Sequence, residues 1–171
     1  MKRVFATLCV LFVAFGFLYA KDPLEGCWKS IDDETGVVTA YWKIYQVEGE
    51  LRGEIMSIPE KPADTVASAV ESSYKGHPCG DDTDLSKEPV IGTPWIWGLS
   101  STKIGEWRNG SIVDAGNGSR YTCAITFHAA GSKISRKKLA VVDTLEMRGS
   151  IGFIGRSQYW ERADESEFNA N

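Results

Sequence analysis

The feature that most constrains this chain is an alternation of apolar and polar residues with a period of two, which recurs in short runs. In AYWKIYQV, Ala40, Trp42 and Ile44 fall on one face of a strand, and the residues between them fall on the other. Further runs, each bounded by Gly, Asn or Asp, are LRGEIMSI, GEWR, SIVD, SRYTCAITF, KLAVV, TLEMRGSIGFIG and RSQYWER. Eight or nine consecutive strands without alternating long helices predict an all-β fold, an antiparallel up-and-down barrel or a sandwich. Barrel closure is favoured because it leaves few free strand edges.

Turn signals separate these runs. The sequence Glu48–Gly49–Glu50 predicts the turn of a hairpin between AYWKIYQV and LRGEIMSI. Asn109–Gly110, between GEWR and SIVD, predicts a second hairpin turn, because both positions accept a positive φ. A third turn is expected at residues 115–118, before SRYTCAITF.

Residues 59–92 interrupt the pattern with four prolines and no alternation. We expect a long loop or a short helix here. Helical spacing before a stop at Gly76 is found at four positions: Val66, Ala69, Val70 and Ser73. A connection of this length is either a lid or binding loop, or a loosely ordered excursion.

The first twenty residues have the form of a secretory signal peptide. Lys2 and Arg3 precede an almost wholly apolar run from Val4 to Phe17, and Ala20 is a small residue at the expected cleavage site. The apolar run is short for a membrane span, although an uncleaved N-terminal anchor is the alternative. Cleavage predicts a periplasmic or secreted protein without a stable transmembrane anchor.

The chain after the leader is long enough for one domain with a core, which we place at residues 21–162, followed by a flexible acidic tail at 163–171. The formal net charge is −4 at pH 7, and the leader carries two of the basic residues. Nucleic acid is not expected as a partner, because phosphate binding needs a concentrated cationic face. The oligomeric state is left open.

Four stretches of the sequence resemble one family of exported bacterial proteins. They are GCWKSIDDETG, PVIGTPWIWGL, EWRNGSIVDAGNGSRYTC and MRGSIGFIGRSQYWER, and together they extend from about Leu24 to Arg162. The family is the Domain of Unknown Function 2147 family. The resemblance implies an exported single domain with a β-rich, barrel-like body and no established activity. This chain departs from the family's C-x-x-C-like pair, because Cys79 stands alone and Asp82 takes the place of a second cysteine.

The Gly-x-Trp triplet at the start of the first strand looks like the latch of lipocalin-type barrels. In those proteins the indole packs across one end of the barrel and a guanidinium from the last strand lies over it. The resemblance assigns Gly26, Trp28 and Trp160 to this structure, with Arg156 as the preferred cation and Arg148 or Arg162 as less favoured ones. A cation over an indole contributes about 1–2 kcal/mol when it is partly desolvated.

Aromatic residues are numerous enough to suggest a ligand pocket. Trp95 and Trp97 share one face of a strand, and Trp42 and Tyr121 lie on strands with the same alternation. Apolar walls with a few polar groups are typical of small-molecule sites, and Arg148 is the expected anchor for a ligand carboxylate. The alternative is that the same side chains fill a solid core.

Other kinds of site have weaker support. Three cysteines follow the leader: Cys27, Cys79 and Cys123. An odd number predicts at least one free thiol. A disulfide between Cys27 and Cys123 is not expected, because the alternation places their side chains on opposite faces of the sheet. The stretch HPCGDDTD contains possible zinc ligands, but its spacing fits a solvated turn better. No cofactor or catalytic motif is recognised. We therefore expect a non-catalytic binding protein for a lipid-like or fatty-acid-like ligand, with a solid-cored structural or protein-interaction domain as the alternative.

Overall fold

The protein is a closed antiparallel β-barrel of eight strands in a computed structural model that describes residues 21–135 and 138–168. The strands of the barrel are β1 (Gly26–Ile31), β2 (Val38–Val47), β3 (Glu50–Ser57), β4 (Pro94–Lys103), β5 (Glu106–Val113), β6 (Arg120–His128), β9 (Thr144–Ile151) and β10 (Ile154–Arg162). They follow one another around the barrel in the order β1-β10-β9-β6-β5-β4-β3-β2, and β2 pairs with β1. The predicted all-β, up-and-down barrel is therefore confirmed. A two-stranded hairpin, β7 (Lys133–Ser135) and β8 (Lys138–Leu139), lies between β6 and β9.

Alternation along the strands divides the side chains between the interior and the outer face. Cross-strand partners share a face, so Ile96 on β4 and Ile112 on β5 both point inward. Tyr121 pairs with Ile112 and continues this inner row into β6. The residues between them, such as Trp97 and Ser111, point outward.

The turn at residues 48–49 forms as predicted, with positive φ at both Glu48 and Gly49. The hairpin predicted at Asn109–Gly110 is wrong, because β5 runs through both residues. Asn109 has a φ of 65°, and the register shifts between Trp107 and Gly110. The positive φ is accommodated in a β-bulge inside the strand instead of in a turn.

The long connection between β3 and β4 folds against the outer face of the barrel. Its regular elements, among the described residues, are a 3-10 helix at Leu85–Lys87 and isolated bridges. The helical spacing before Gly76 does not produce a helix, because the backbone bonds to a distant part of the same loop. The N–H of Ala67 donates to Glu88, and the N–H of Val90 donates to Thr65.

The C-terminal segment contacts the barrel as far as it is described. A short helix, α1 (Glu165–Phe168), places Glu167 2.9 Å from the ammonium of Lys29 and the Phe168 ring 5.9 Å from that of Tyr41. Up to Phe168 the segment therefore contacts the barrel. The signal-peptide prediction falls on residues 1–20, outside the described residues. Among the described residues, no helix combines the length and the apolar character that crossing a membrane requires.

Candidate functional site

One end of the barrel is closed by a latch of Trp28 and Arg162. The guanidinium carbon of Arg162 lies 3.8 Å from the centroid of the Trp28 ring. Its Nη1 donates to the carbonyl of Glu25 at 3.1 Å, and its Nη2 donates to the carbonyl of Pro23. A Cβ on Gly26 would lie only 2.8 Å from Nη1 of Arg162. The Gly-x-Trp triplet thus has a physical explanation: the glycine leaves room for the cation that the tryptophan receives.

The expectation that Arg156 is the latch cation is wrong, and register is the reason. Arg162, the last residue of β10, pairs with Trp28, whereas Arg156 pairs with Gly149 toward the other end of the barrel. There its Nη2 lies 3.0 Å from the carboxylate of Asp33. Trp160 is fully buried but lies deeper than the latch.

Residues 21–25 plug the same end. The buried carboxylate of Asp22 accepts hydrogen bonds from the N–H groups of Leu24 and Gly105 and from the indole of Trp107, at 3.0, 3.1 and 3.1 Å. The Trp28 indole donates to the carbonyl of Leu24 at 2.8 Å. Because Leu24 is wholly buried beneath these bonds, this segment is part of the core. We call this end the closed end.

Two stacked indoles divide the interior. The rings of Trp42 and Trp160 lie 4.9 Å apart at an interplanar angle of 25°, and the Trp42 indole donates to Ser30 Oγ at 3.3 Å. On their closed-end side the barrel is packed with buried side chains, among them Ile44, Leu51, Ile96, Leu99 and Ile125. The stacked pair therefore forms a floor.

Above this floor a cavity of about 820 Å³ opens at the other end of the barrel, which we call the open end. Residues from seven strands line it, among them Ala40, Trp42, Ile112, Tyr121, Met147 and Trp160. The volume is within the range of small-molecule sites. The barrel is thus filled at its closed end and hollow at its open end.

Charged and polar groups surround the mouth of the cavity. Arg156 and Gln158 reach it from β10, and Glu60, Lys61 and Asp114 reach it from the adjoining loops. Arg156 is 71% exposed, so contact with a ligand would cost its guanidinium little desolvation, although a ligand would have to share it with Asp33. An apolar pocket with a charged mouth suits a ligand that has one apolar end and one polar end.

Comparison with known proteins agrees with this architecture. The model of a family described as an uncharacterized protein conserved in bacteria (DUF2147) matches residues 26–162. The chain belongs to this family.

Among solved structures, this DUF2147 protein is similar to HP1028 from the human pathogen Helicobacter pylori, which belongs to the lipocalin family. The TM-score is 0.61 at 13% sequence identity, over 85% of this chain and 86% of that one. At that identity the likeness shows the fold, a lipocalin-like barrel. A comparison with curated proteins gave no match.

Of the five residues predicted for the pocket, Trp42 and Tyr121 line the cavity. Trp95 and Trp97 share a face as expected, but it is the outer face. The long loop covers them: the Trp95 indole donates to the carbonyl of Val90 at 2.8 Å, and the Trp97 ring lies 6.3 Å from that of Tyr74. Alternation predicts which residues share a face, but an outer face covered by a loop is as apolar as the interior.

Arg148, the expected carboxylate anchor, also lies outside the cavity of the DUF2147 barrel. It pairs with Ala124 and Ser157, whose neighbours Cys123 and Gln158 face the interior. The arginine that reaches the mouth is Arg156. The two are eight residues apart on adjacent strands, and only the register distinguishes their faces.

His77 joins the long loop to the two outer tryptophans. Its ring lies 4.7 Å from that of Trp97, Nε2 donates to the carbonyl of Pro94 at 2.8 Å, and Nδ1 accepts from the N–H of Cys79 at 3.2 Å. These partners fix the neutral tautomer. Burial lowers the pKa of His77, and the nearby Arg120 adds to the effect. In the described part of the chain, no group of three or more potential ligands is placed to hold a metal ion.

All three described cysteines are free thiols, as the sequence predicted for at least one. Cys27 points outward from β1, whereas Cys123 points inward and lies 3.2 Å from the sulfur of Met147. Complete burial raises the pKa of Cys123 far above that of an exposed thiol. It contributes to the packing of the core beside Met147.

Two polar residues of the cavity were missed by sequence reasoning. Ser30 supports the floor by accepting the Trp42 indole, and Gln158 lies between Arg156 and the buried Trp160 on the inner face of β10. The signal for Gln158 was present, because it alternates with Tyr159 and Ser157 in RSQYWER. The sequence alone does not show which face of this run is the inner one, because that depends on the register.

Proposed function

We propose that this protein is an exported, non-catalytic binding protein for a small amphipathic ligand with a single apolar chain, of the fatty-acid or lysolipid kind. The observation that supports this most directly is the cavity of about 820 Å³ above the Trp42–Trp160 floor. The lipocalin-like fold supports it as well, because eight-stranded barrels of that type leave room for one small ligand. The signal-peptide pattern supports export.

The chemistry of the cavity suggests the orientation of the ligand. Its apolar end would contact Met147 and the stacked indoles, where burial of hydrocarbon contributes about 25 cal/mol per Å². Its polar end would lie at the mouth, where Arg156 offers a planar guanidinium suited to a carboxylate or a phosphate. In that complex the ligand would share or replace Asp33 as the partner of Arg156.

Quenching of tryptophan fluorescence by brominated fatty acids tests both binding and orientation. A bromine at the methyl end of the chain should quench Trp42 and Trp160 strongly, whereas a bromine next to the carboxylate should quench them weakly. Native mass spectrometry of the purified protein should also show co-purified adducts of lipid size. Equal quenching by both positional isomers would contradict the orientation, and saturable binding of neither would contradict the function.

Two pairs of variants distinguish ligand binding in the cavity from ligand binding on the outer surface of the barrel. Ala40→Phe places a ring in the cavity and should weaken binding at least tenfold, whereas Thr122→Phe places the same ring on the outer face and should leave it unchanged. Arg156→Gln should weaken binding of a fatty acid roughly fivefold to tenfold, and Arg148→Gln should not. If Arg148→Gln has the larger effect, the assignment of the mouth is wrong.

A further inference from the structure

The turn between β9 and β10 carries a cluster of exposed apolar side chains. Ile151, Phe153 and Ile154 are 65%, 97% and 71% exposed, and together with Gly152 they form the tip of this hairpin. Scattered single apolar residues on a surface are ordinary, but three at one turn are not. We call these three residues the apolar tip.

The apolar tip projects beside the mouth of the cavity. β9 ends and β10 begins at the open end, where Arg156 and Gly149 line the cavity a few residues behind the tip. Val37, in the turn before β2, is 61% exposed and also lines the mouth. Exposed apolar side chains are therefore present both at the tip and at the entrance of the cavity.

A cation accompanies the tip on its outer side. A Cβ on Gly155 would lie 2.9 Å from Nη2 of Arg148, so the guanidinium lies over that glycine, next to Ile154. Its hydrogen bond to Ser157 Oγ is long, at 3.5 Å, and it forms no ion pair with any described residue. Apolar side chains that insert and an adjacent arginine that remains at headgroup level are the two parts of an interfacial membrane contact.

We propose that the apolar tip inserts into the surface of a lipid bilayer that contains anionic lipids, with Arg148 contacting a lipid phosphate and the mouth of the cavity held at the membrane. The shape of the tip favours a bilayer over a protein, because three side chains on a convex turn fall well short of the roughly 800 Å² per partner of a stable protein interface. Asp32, Asp33 and Glu34 in the neighbouring turn would be repelled by anionic lipid. The contact is therefore confined to the one hairpin and is weak and reversible.

Flotation of the protein with lipid vesicles tests the contact without any cavity ligand. The protein should float with vesicles of phosphatidylcholine and phosphatidylglycerol, and less with phosphatidylcholine alone. Phe153→Ser should lower partitioning at least tenfold. Arg148→Gln should lower it a few-fold on the anionic vesicles only, and added salt should have the same effect on the unmodified protein.

Ile104→Ser is the matched control. Ile104 is 80% exposed in the turn between β4 and β5, at the closed end, so its loss should leave partitioning unchanged. Ala40→Phe should also float normally, which distinguishes docking by the tip from extraction of a vesicle lipid into the cavity. The proposed function and this proposal can therefore fail separately.

Three results would overturn the proposal. The first is that the protein remains unbound to both kinds of vesicle, and the second is that Phe153→Ser floats as well as the unmodified protein. The third is that sedimentation without lipid shows a dimer that Phe153→Ser dissociates, because the tip would then contact a second copy of the chain. Because Phe153 is almost fully exposed, its replacement should not destabilise the fold. The Phe153→Ser variant should therefore unfold at the same urea concentration as the unmodified protein, and this comparison verifies that the variant is folded.

Discussion

At the scale of single residues, the latch consists of three residues with different roles. The sequence predicted the glycine and the tryptophan, but it did not identify which arginine covers the ring. Trp28 is wholly buried and donates to Leu24, Arg162 covers its ring, and Gly26 leaves space for the guanidinium. Gly26 also has a φ of 129°, which a residue with a side chain rarely adopts. These three positions constrain one another, so their substitutions should not act independently.

A double-mutant cycle measures that dependence. Trp28→Ala removes a buried aromatic ring and should lower the free energy of unfolding by about 3–5 kcal/mol. Arg162→Ala alone should also destabilise the protein, and the double variant should lose less than the sum of both by about 1–2 kcal/mol, because the ring and the guanidinium lose the same contact. Urea unfolding of the four proteins gives the coupling.

Arg156 provides the control for this cycle. It lies on the same strand and the same face as Arg162 but pairs with Asp33 at the open end. Arg156→Ala combined with Trp28→Ala should be additive within about 0.5 kcal/mol. Coupling of Trp28 to Arg156 and not to Arg162 would refute the latch described here.

At the scale of elements, the long loop between β3 and β4 covers one outer face of the barrel. The Tyr74 hydroxyl donates to the carbonyl of Gly118 at 3.0 Å, and the Arg120 guanidinium lies 5.3 Å from the centroid of the Trp97 ring. His77 completes this packing in its neutral form. A proton on Nδ1 would oppose the N–H of Cys79, so acid should weaken the attachment of the loop.

The pH dependence of stability tests this role of His77. Its pKa in the folded protein is below the ordinary value of 6.5, so the unfolded chain binds the proton more readily. The stability that depends on the neutral ring is complete above about pH 6.5 and is lost as the pH falls through the lower, folded pKa. In urea unfolding between pH 8 and pH 5, the unmodified protein should lose more stability than His77→Gln does. Parallel profiles would show that the loop does not depend on this group.

The elements also show how far the sequence could predict the fold. Alternation identified most of the strands and the barrel, because its period of two is local information, but the run TLEMRGSIGFIG contains the turn between β9 and β10 and KLAVV forms a strand only at Lys138–Leu139. It did not reveal that Trp95 and Trp97 are covered by a loop, because contacts between distant segments are not encoded in a period. The hairpin predicted at Asn109–Gly110 is wrong for a related reason: a positive φ is compatible with either a turn or a bulge, and the pairing of β5 with its neighbours decides between them.

At the scale of the whole molecule, the two ends of the barrel differ in how their interior is filled. The open end is hollow and surrounded by charges, whereas the closed end is packed and sealed by residues 21–25. The sequence predicted a single domain and a latch but left the choice between a hollow and a filled barrel open. That choice depends on the sum of inward-facing volumes along the axis, and therefore on the register of all eight strands.

The plug leads to a prediction about both processing and stability. Cleavage after Ala20 would leave Asp22 as the second residue of the mature chain, so every hydrogen bond of the plug would be retained. The N-terminal sequence of the protein isolated from its host should therefore begin near Lys21.

A chain beginning at Gly26 should be less stable by several kcal/mol, because it loses the buried Leu24 and leaves the indole N–H of Trp107 without its acceptor. Lys21→Ala, at an exposed position, should unfold at the same urea concentration as the unmodified chain. A mature N-terminus beyond Asp22, or equal stability of the shortened chain, would mean that the closed end does not need its plug.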